Sequence, residues 1–195
     1  QAYLNDLVKM VYQHPLVHVY TGAKITDATG YIGNFVTTVE SERGVGKIEH
    51  GATVIATGAD EYRPREYWYG RDARVITGLE HEERIANKDP AVTSARNLIM
   101  VQCVGCRNQD RDYCSRICCS QSLKNALKMK TVNPAIDITI IYRDMRTYGF
   151  REDYYREAAE RFVRFVRYDL NNQPKVVAVE EGGRTVEAGD RRRAR

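Results

Sequence analysis

The sequence predicts an α/β protein: a parallel sheet with flanking helices, joined to a smaller antiparallel meander. Two patterns carry this. From residue 97 onward, short apolar runs alternate with segments of helical spacing. Such alternation needs long crossovers, and crossovers make parallel strands with helices on the sheet face. Before residue 60, strand-like runs are separated by glycine turns instead, which suits hairpins.

The elements follow in order. Residues 3–13 carry Leu4, Leu7, Val8 and Val11 at helical spacing, stopped by Pro15. Residues 17–20 and 23–28 read as strand, broken at Gly22. Residues 30–34 have turn chemistry, 35–39 alternate as a strand, and 44–46 form a further turn. The run Ala-Thr-Val-Ile-Ala at 52–56, bounded by Gly51 and Gly58, reads as a strand buried on both faces. Residues 59–96 are polar and irregular, with Pro64, Gly70, Gly78 and Pro90, and hold one short helix near 79–86. Then come a strand at 98–102, a helix at 120–129, a strand at 136–142, a helix at 152–161, and strands at 163–168 and 176–179. The expected domains are residues 1–90 and 91–195.

Composition removes several function classes. The 195 residues are 43% apolar and 29% charged, ordinary for a globular chain. The net charge of +4 owes much to Arg191, Arg192, Arg193 and Arg195, so the body is near neutral and offers no nucleic-acid footprint. That tail reads as a solvated end or a cut point. No run approaches the roughly 18 apolar residues of a membrane span. The opening lacks a secretory signal and an initiator Met, so a mature or excised chain in the cytoplasm is expected.

All five cysteines fall between residues 103 and 119. A secreted disulfide scaffold spreads its cysteines along the chain, whereas clustering points to a metal or redox site in a reducing compartment. The segment runs from Gln102 to Cys119, where the first parallel strand ends and the next helix begins. Ligands of open α/β sheets bind at that carboxyl edge. Four bare thiolates repel one another, and a metal centre neutralises them. The Cys-x3-Cys-Cys spacing of Cys114, Cys118 and Cys119 makes a poor zinc ribbon. An iron–sulfur cubane accepts more varied spacings, and a helix N-terminus suits its negative charge. A zinc-stabilised, non-enzymatic interaction domain and a Cys103–Cys106 dithiol oxidoreductase remain open on spacing alone.

Several strings in this region are similar to the central part of the heterodisulfide reductase A-subunit family and its relatives in quinone-interacting oxidoreductase complexes. They are Met100-Val-Gln-Cys-Val-Gly105, Tyr113-Cys-Ser-Arg-Ile-Cys-Cys119, Lys124-Asn-Ala-Leu-Lys128, the stretch from Tyr142 to Phe150, and Arg164-Phe-Val-Arg-Tyr168. The resemblance implies a thioredoxin-reductase-like, FAD-containing, Rossmann-like protein that holds a 4Fe-4S cluster. It implies Cys103, Cys114, Cys118 and Cys119 as ligands, with Cys106, where the family usually has Ser, a spare thiol; an exchange between Cys103 and Cys106 as ligand stays open. The family's ferredoxin-like insertion near 43–47 is replaced here by Gly-Val-Gly. Its amino-terminal Gly-x-Gly-x-x-Gly, which cradles the FAD pyrophosphate, is absent from the sequence, so an internal segment or one subunit of a split protein is expected.

The string from Glu49 to Gly58 resembles the family's second FAD motif, in which a buried strand delivers Ala-Thr-Gly to the cofactor. The resemblance implies FAD contacts at Thr57 and Gly58, and backbone contacts to the adenine near Ala23, Lys24 and Ile25; without the first glycine turn, weak or no FAD binding by this chain is expected unless another chain supplies it. Gln102-Cys-Val-Gly-Cys-Arg occupies the place of a nicotinamide-binding glycine turn, so no nicotinamide binding is expected there. Arg143 and Arg146 follow the next strand, where an arginine that reads a 2′-phosphate can lie, which keeps NADPH open as a minor reading; otherwise they read as helix caps, as partners of Asp144 or Glu152, or as charge support for an anionic cluster. Lys124 and Lys128 read as a solvated helix face, and His14, His18, His50 and His81 show no metal spacing. The function expected is electron transfer between FAD and partner subunits through the cluster, with no general acid, base or nucleophile in the segment. Other subunits of a redox complex, or a second copy of the chain, are the expected partners.

Overall fold

Hairpin turns close the first unit of this chain, Gln1–Ala59, and helical crossovers close the second, Asp60–Arg195. The computed structural model describes residues 2–178 and 184–187. The arginine-rich tail and the last residue of the strand expected at 176–179 lie outside them.

The first unit opens with helix α1, Ala2–Gln13. A three-stranded antiparallel meander follows, with β1 at Lys24–Tyr31, β2 at Asn34–Ser41 and β3 at Gly44–His50, in that order. Tyr31 pairs with Asn34 and Ser41 with Gly44, so each connection is a two-residue hairpin loop. Gly30 sits at φ 109°, and a Cβ there would run into the Asn34 carbonyl, so only glycine fits. The β1–β2 register slips between Ile25 and Asp27, a bulge.

Three expectations are corrected in this unit. The turn expected at 44–46 lies at Glu42–Arg43 instead, and Gly44 already pairs within β3. Residues 17–20 form no strand. Nor does the run at 52–56: it is irregular, and Val54 and Ile55 are 88% and 83% exposed. A strand exists only where a neighbour takes up its backbone N–H and C=O groups. Apolar composition alone does not supply that neighbour, and among the described residues no strand pairs with this run.

The second unit begins where an irregular crossover was expected. Helix α2, Gly78–Ala86, starts in a capping box: the Glu80 N–H donates to Thr77 Oγ1 at 3.2 Å, and the Thr77 N–H donates to Glu80 Oε2 at 2.8 Å. A single-turn helix, α3, follows at Pro90–Thr93, with Asp89 as its cap. Ile85 and Val92 join the core, so this stretch packs as part of the second unit. Next come β4 (Asn97–Val101), α4 (Cys118–Val132), β5 (Asp137–Tyr142), a 3₁₀ turn (Gly149–Arg151), α5 (Glu152–Glu160) and β6 (Arg164–Arg167). The strands are parallel, in the order β4-β5-β6. Sequential order with right-handed crossovers brings both crossover helices to one face. Leu123, Ala126 and Met129 of α4, Ile138 and Ile140 of β5, and Ala158 of α5 are all fully buried in one cluster. A two-stranded antiparallel pair, β7 (Lys175–Ala178) and β8 (Arg184–Glu187), completes the described residues. The architecture is the expected mixed α/β, a parallel sheet plus a meander. No helix among the described residues is long and apolar enough to cross a membrane.

Candidate functional site

The ends of three parallel strands meet the start of α4 at one edge of the second unit. β4 is prolonged by one ladder bond, from the Gln102 N–H to the Ile141 carbonyl at 2.8 Å. The Tyr168 hydroxyl, just past β6, donates to the Gln102 carbonyl at 2.7 Å. With its backbone pinned from both sides, the chain then turns sharply. Cys103, Gly105 and Arg107 all take positive φ, at 63°, 66° and 56°. Two of these are not glycine, and such strain persists where surroundings over-determine it. At Gly105 the ring of Tyr62 lies where a Cβ would be, and Arg111 stacks over that ring with its guanidinium 4.6 Å from the centroid.

The second half of the loop turns N–H donors toward sulfur. The Arg116 N–H donates to Cys114 Sγ at 3.4 Å, with Arg116 at φ 60°. The Ser115 hydroxyl reaches Cys118 Sγ at 3.8 Å. Helix α4 starts at Cys118, so Cys114 lies in the loop, outside the helix. Cys119 is 2% exposed, and its Sγ lies 3.7 Å from the Asp144 carbonyl oxygen. The other four cysteines are half-buried, and all five are free thiols.

The thiols sense one another. Burial first, and then the sulfurs of Cys103, Cys118 and Cys114, push the Cys106 thiol up to about 11. Cys118 is pulled down to about 6, mainly because the Cys119 thiol donates to it. Burial opposes that shift, while the Ser115 hydroxyl and the N–H groups of residues 118 and 119 assist it. Cys119 is raised by the same bond and by burial. The adjacent pair thus titrates as a unit, with its first negative charge on Cys118 at the helix N-terminus.

Charged residues brace the edge. Arg107 donates from Nη2 to Asp144 Oδ2 at 2.6 Å and from Nη1 toward Cys103 Sγ at 3.9 Å. Arg167 reaches the other Asp144 oxygen at 3.1 Å and the Arg143 carbonyl at 2.9 Å. Arg143 Nη1 donates to the Arg107 carbonyl at 2.7 Å, so its part is to tie two loops together. The Arg107 bond, above all, holds the Asp144 carboxyl below its usual range. A cavity of about 80 Å³ opens beside the turn, lined by Cys103 and Cys106 together with Tyr67, Asn108, Arg143 and Tyr168.

These donors suit a group that is anionic and needs thiolates: five sulfurs share one edge, with the Arg116 N–H, the Ser115 hydroxyl and the Arg107 guanidinium directed at three of them. Among the described residues, no three His, Cys, Asp or Glu side chains form a ready cage for one metal ion. The fit therefore lies in donor chemistry rather than in a closed cage. The flavin residues fit less well. Thr57 and Gly58 are exposed in the irregular stretch after β3, and Lys24 and Ile25 are exposed at the start of β1 with Ala23 half-buried before them. Gly58, at φ 69° with open space on its Cβ side, permits close approach, but the strand expected to deliver it is not formed.

Sequence reasoning missed Arg107, Arg167, Tyr62 and Tyr168. The available signal was position: Arg107 follows the first cysteine turn, and Asp144 and Arg167 stand at the ends of the two neighbouring parallel strands. Lys124 pairs with Glu82, as a solvated helix face would. Among the histidines, His81 is buried in α2, its Nε2 without a hydrogen-bond partner.

No protein-family model matches the chain. Curated relatives do. The chain is 35% identical to the A subunit of the H(2):CoB-CoM heterodisulfide,ferredoxin reductase of Methanothermobacter thermautotrophicus, over 62% of this chain and 21% of that protein. It is 37% identical to the iron-sulfur A subunit of the CoB--CoM heterodisulfide reductase of Methanocaldococcus jannaschii, with the same coverage. Identity is 32% to the A subunit of the Ferredoxin:CoB-CoM heterodisulfide reductase of Methanosarcina acetivorans, over 60% of this chain and 20% of that one. The chain thus spans about a fifth of the length of the curated relatives it matches. The resemblance read from the cysteine strings is borne out.

Proposed function

We infer that this chain, a relative of the heterodisulfide reductase A subunits, is an electron-transfer element of an oxidoreductase and holds a 4Fe-4S cluster on Cys103, Cys114, Cys118 and Cys119. The observation that carries the reading is the gathering of five thiols at the carboxyl edge of a parallel sheet, against the first turn of α4. When bound, the cluster supplies a one-electron relay. The chain's own residues do the rest. Cys118 and Cys119 present adjacent sulfurs where the helix dipole favours negative charge. The Arg116 and Arg146 backbone N–H groups donate to sulfur, which stabilises thiolate. Tyr62 covers the turn at Gly105 and limits water there.

In this reading residues 91–195 carry the cluster. Residues 1–90 contribute part of an FAD site, with Thr57, Gly58, Ala23, Lys24 and Ile25 as the contact residues. Held by these residues, FAD would supply electrons for exchange with partner subunits by way of the cluster. What supports partners is that the similar proteins are named as reductase subunits.

Purification of the chain without oxygen, followed by iron, zinc and acid-labile sulfide analysis, tests this. About four irons and four sulfides per chain with a broad visible absorption are expected. A colourless protein with one zinc per chain overturns it. Titration with FAD checks the flavin part separately: with the glycine cradle missing from this sequence, binding is expected to be weak; quenching of flavin fluorescence that is lost on replacing Gly58 with Val supports the assignment, and quenching unchanged in that variant contradicts it.

A further inference from the structure

We propose that Arg107, clamped by Asp144, holds a fixed positive charge against the Cys103 thiolate and thereby raises the midpoint potential of the cluster. The proposal rests on the cluster reading above and adds to it a residue that no spacing pattern suggested.

Arg107 is nearly buried, its side chain only 14% exposed. One tooth of its fork grips Asp144 Oδ2 and the other points at Cys103 Sγ. A guanidinium serves two acceptors this way because its donors form a rigid planar fork; an ammonium has three donors on a flexible stem and no such preset geometry. The clamp is anchored in turn. Arg167 takes the second Asp144 oxygen and the Arg143 carbonyl, and Arg143 returns to the carbonyl of Arg107 itself. The ring therefore fixes the arginine from its backbone and its side chain at once. The Asp144 carbonyl lies 3.7 Å from Cys119 Sγ, so one residue neighbours both the first and the last ligand.

Electrostatics gives the ring a direction. Two guanidiniums, those of Arg107 and Arg167, hold one carboxylate, which leaves one surplus positive charge at these strand ends, with Arg107 the one that reaches sulfur. Reduction adds one electron and one negative charge to the cluster, with no bond made or broken. A nearby cation in a partly desolvated setting favours the more negative state. A clamp that only shaped the loop would leave the potential unmoved once the cluster was in place.

The test is a dye-mediated titration with dithionite, read by electron paramagnetic resonance, on the full chain and on Arg107→Gln and Arg107→Lys. Arg107→Gln is expected to keep its iron and to show a lower midpoint. Arg107→Lys is expected to fall between that variant and the wild type, since charge stays but the fork is lost. Iron release to a chelator is expected to speed up about tenfold in Arg107→Gln, as for other residues supporting metal ligands. A midpoint unchanged or raised in Arg107→Gln overturns the proposal. Should that variant fail to load, Arg107→Lys decides: a lower midpoint supports the proposal, and an equal or higher one overturns it. Loss of the cluster from both variants, with the wild type loaded, reduces Arg107 to a structural clamp and also overturns it. A wild-type chain without iron and sulfide is a different failure, that of the cluster reading.

Discussion

The two units of this chain use opposite means to hold strands. In the meander, every residue of β1 is exposed, and so is every described residue of α1. Backbone ladders and two-residue turns define it, and among its described residues only Thr37 is buried. In the parallel sheet, β5 lies beneath α4 and α5, and side chains from all three pack at zero exposure. Hydrogen-bonded geometry can set a register by itself, but burial supplies most of the free energy. The chain's stability therefore rests on its second unit, and so does the cysteine edge built on that unit's strand ends.

That contrast can be broken at graded cost. Leu123→Ala, at the centre of the buried cluster, is expected to lower stability by about 3 kcal/mol in denaturant unfolding. Retention of the wild-type midpoint would mean that the core does not hold the sheet. Thr77→Ala removes the α2 cap and is expected to cost about 1 kcal/mol by the same measurement. Little change there would show that packing by Ile85 suffices without the cap.

His81 adds a pH window. Burial lowers its pKa below 6.5. The unfolded chain then binds the extra proton first, so stability is full above pH 6.5 and declines as pH falls from there toward the folded value. His81→Gln is expected to flatten that acid-side decline in thermal melts between pH 7 and pH 5; an unaltered slope would assign the decline to other groups. The smallest effect belongs to the irregular stretch that follows the meander. Ile55→Ala, at an exposed site, is expected to stay within about 0.5 kcal/mol, and a loss as large as that of Leu123→Ala would show that the first unit has its own hidden core.

Much of this was legible in the sequence, and the limits have physical causes. The parallel strands, their crossover helices and the cysteine edge were readable because alternation and the thiol cluster are local patterns. Residues 52–56 misled because an apolar run states a preference for burial without naming a partner strand. Residues 59–96 looked irregular apart from the helix expected at 79–86, which α2 bears out; α3 is a single turn, and the membership of this stretch in the core depends on Ile85 and Val92 joining residues far along the chain. At the site, cysteine spacing marked the place. The brace of Arg107, Asp144 and Arg167 was hidden, because its members come from three different strand ends and meet only once the sheet is formed.

The central claim is the choice of ligands, and one measurement tests it most directly. Each cysteine is replaced by Ser in turn, and the iron and sulfide content and visible spectrum are read without oxygen. The account predicts that Cys106→Ser keeps the full cluster signal, while Cys103→Ser, Cys114→Ser, Cys118→Ser and Cys119→Ser each lose most of it. A signal lost with Cys106→Ser and kept with Cys103→Ser would contradict it.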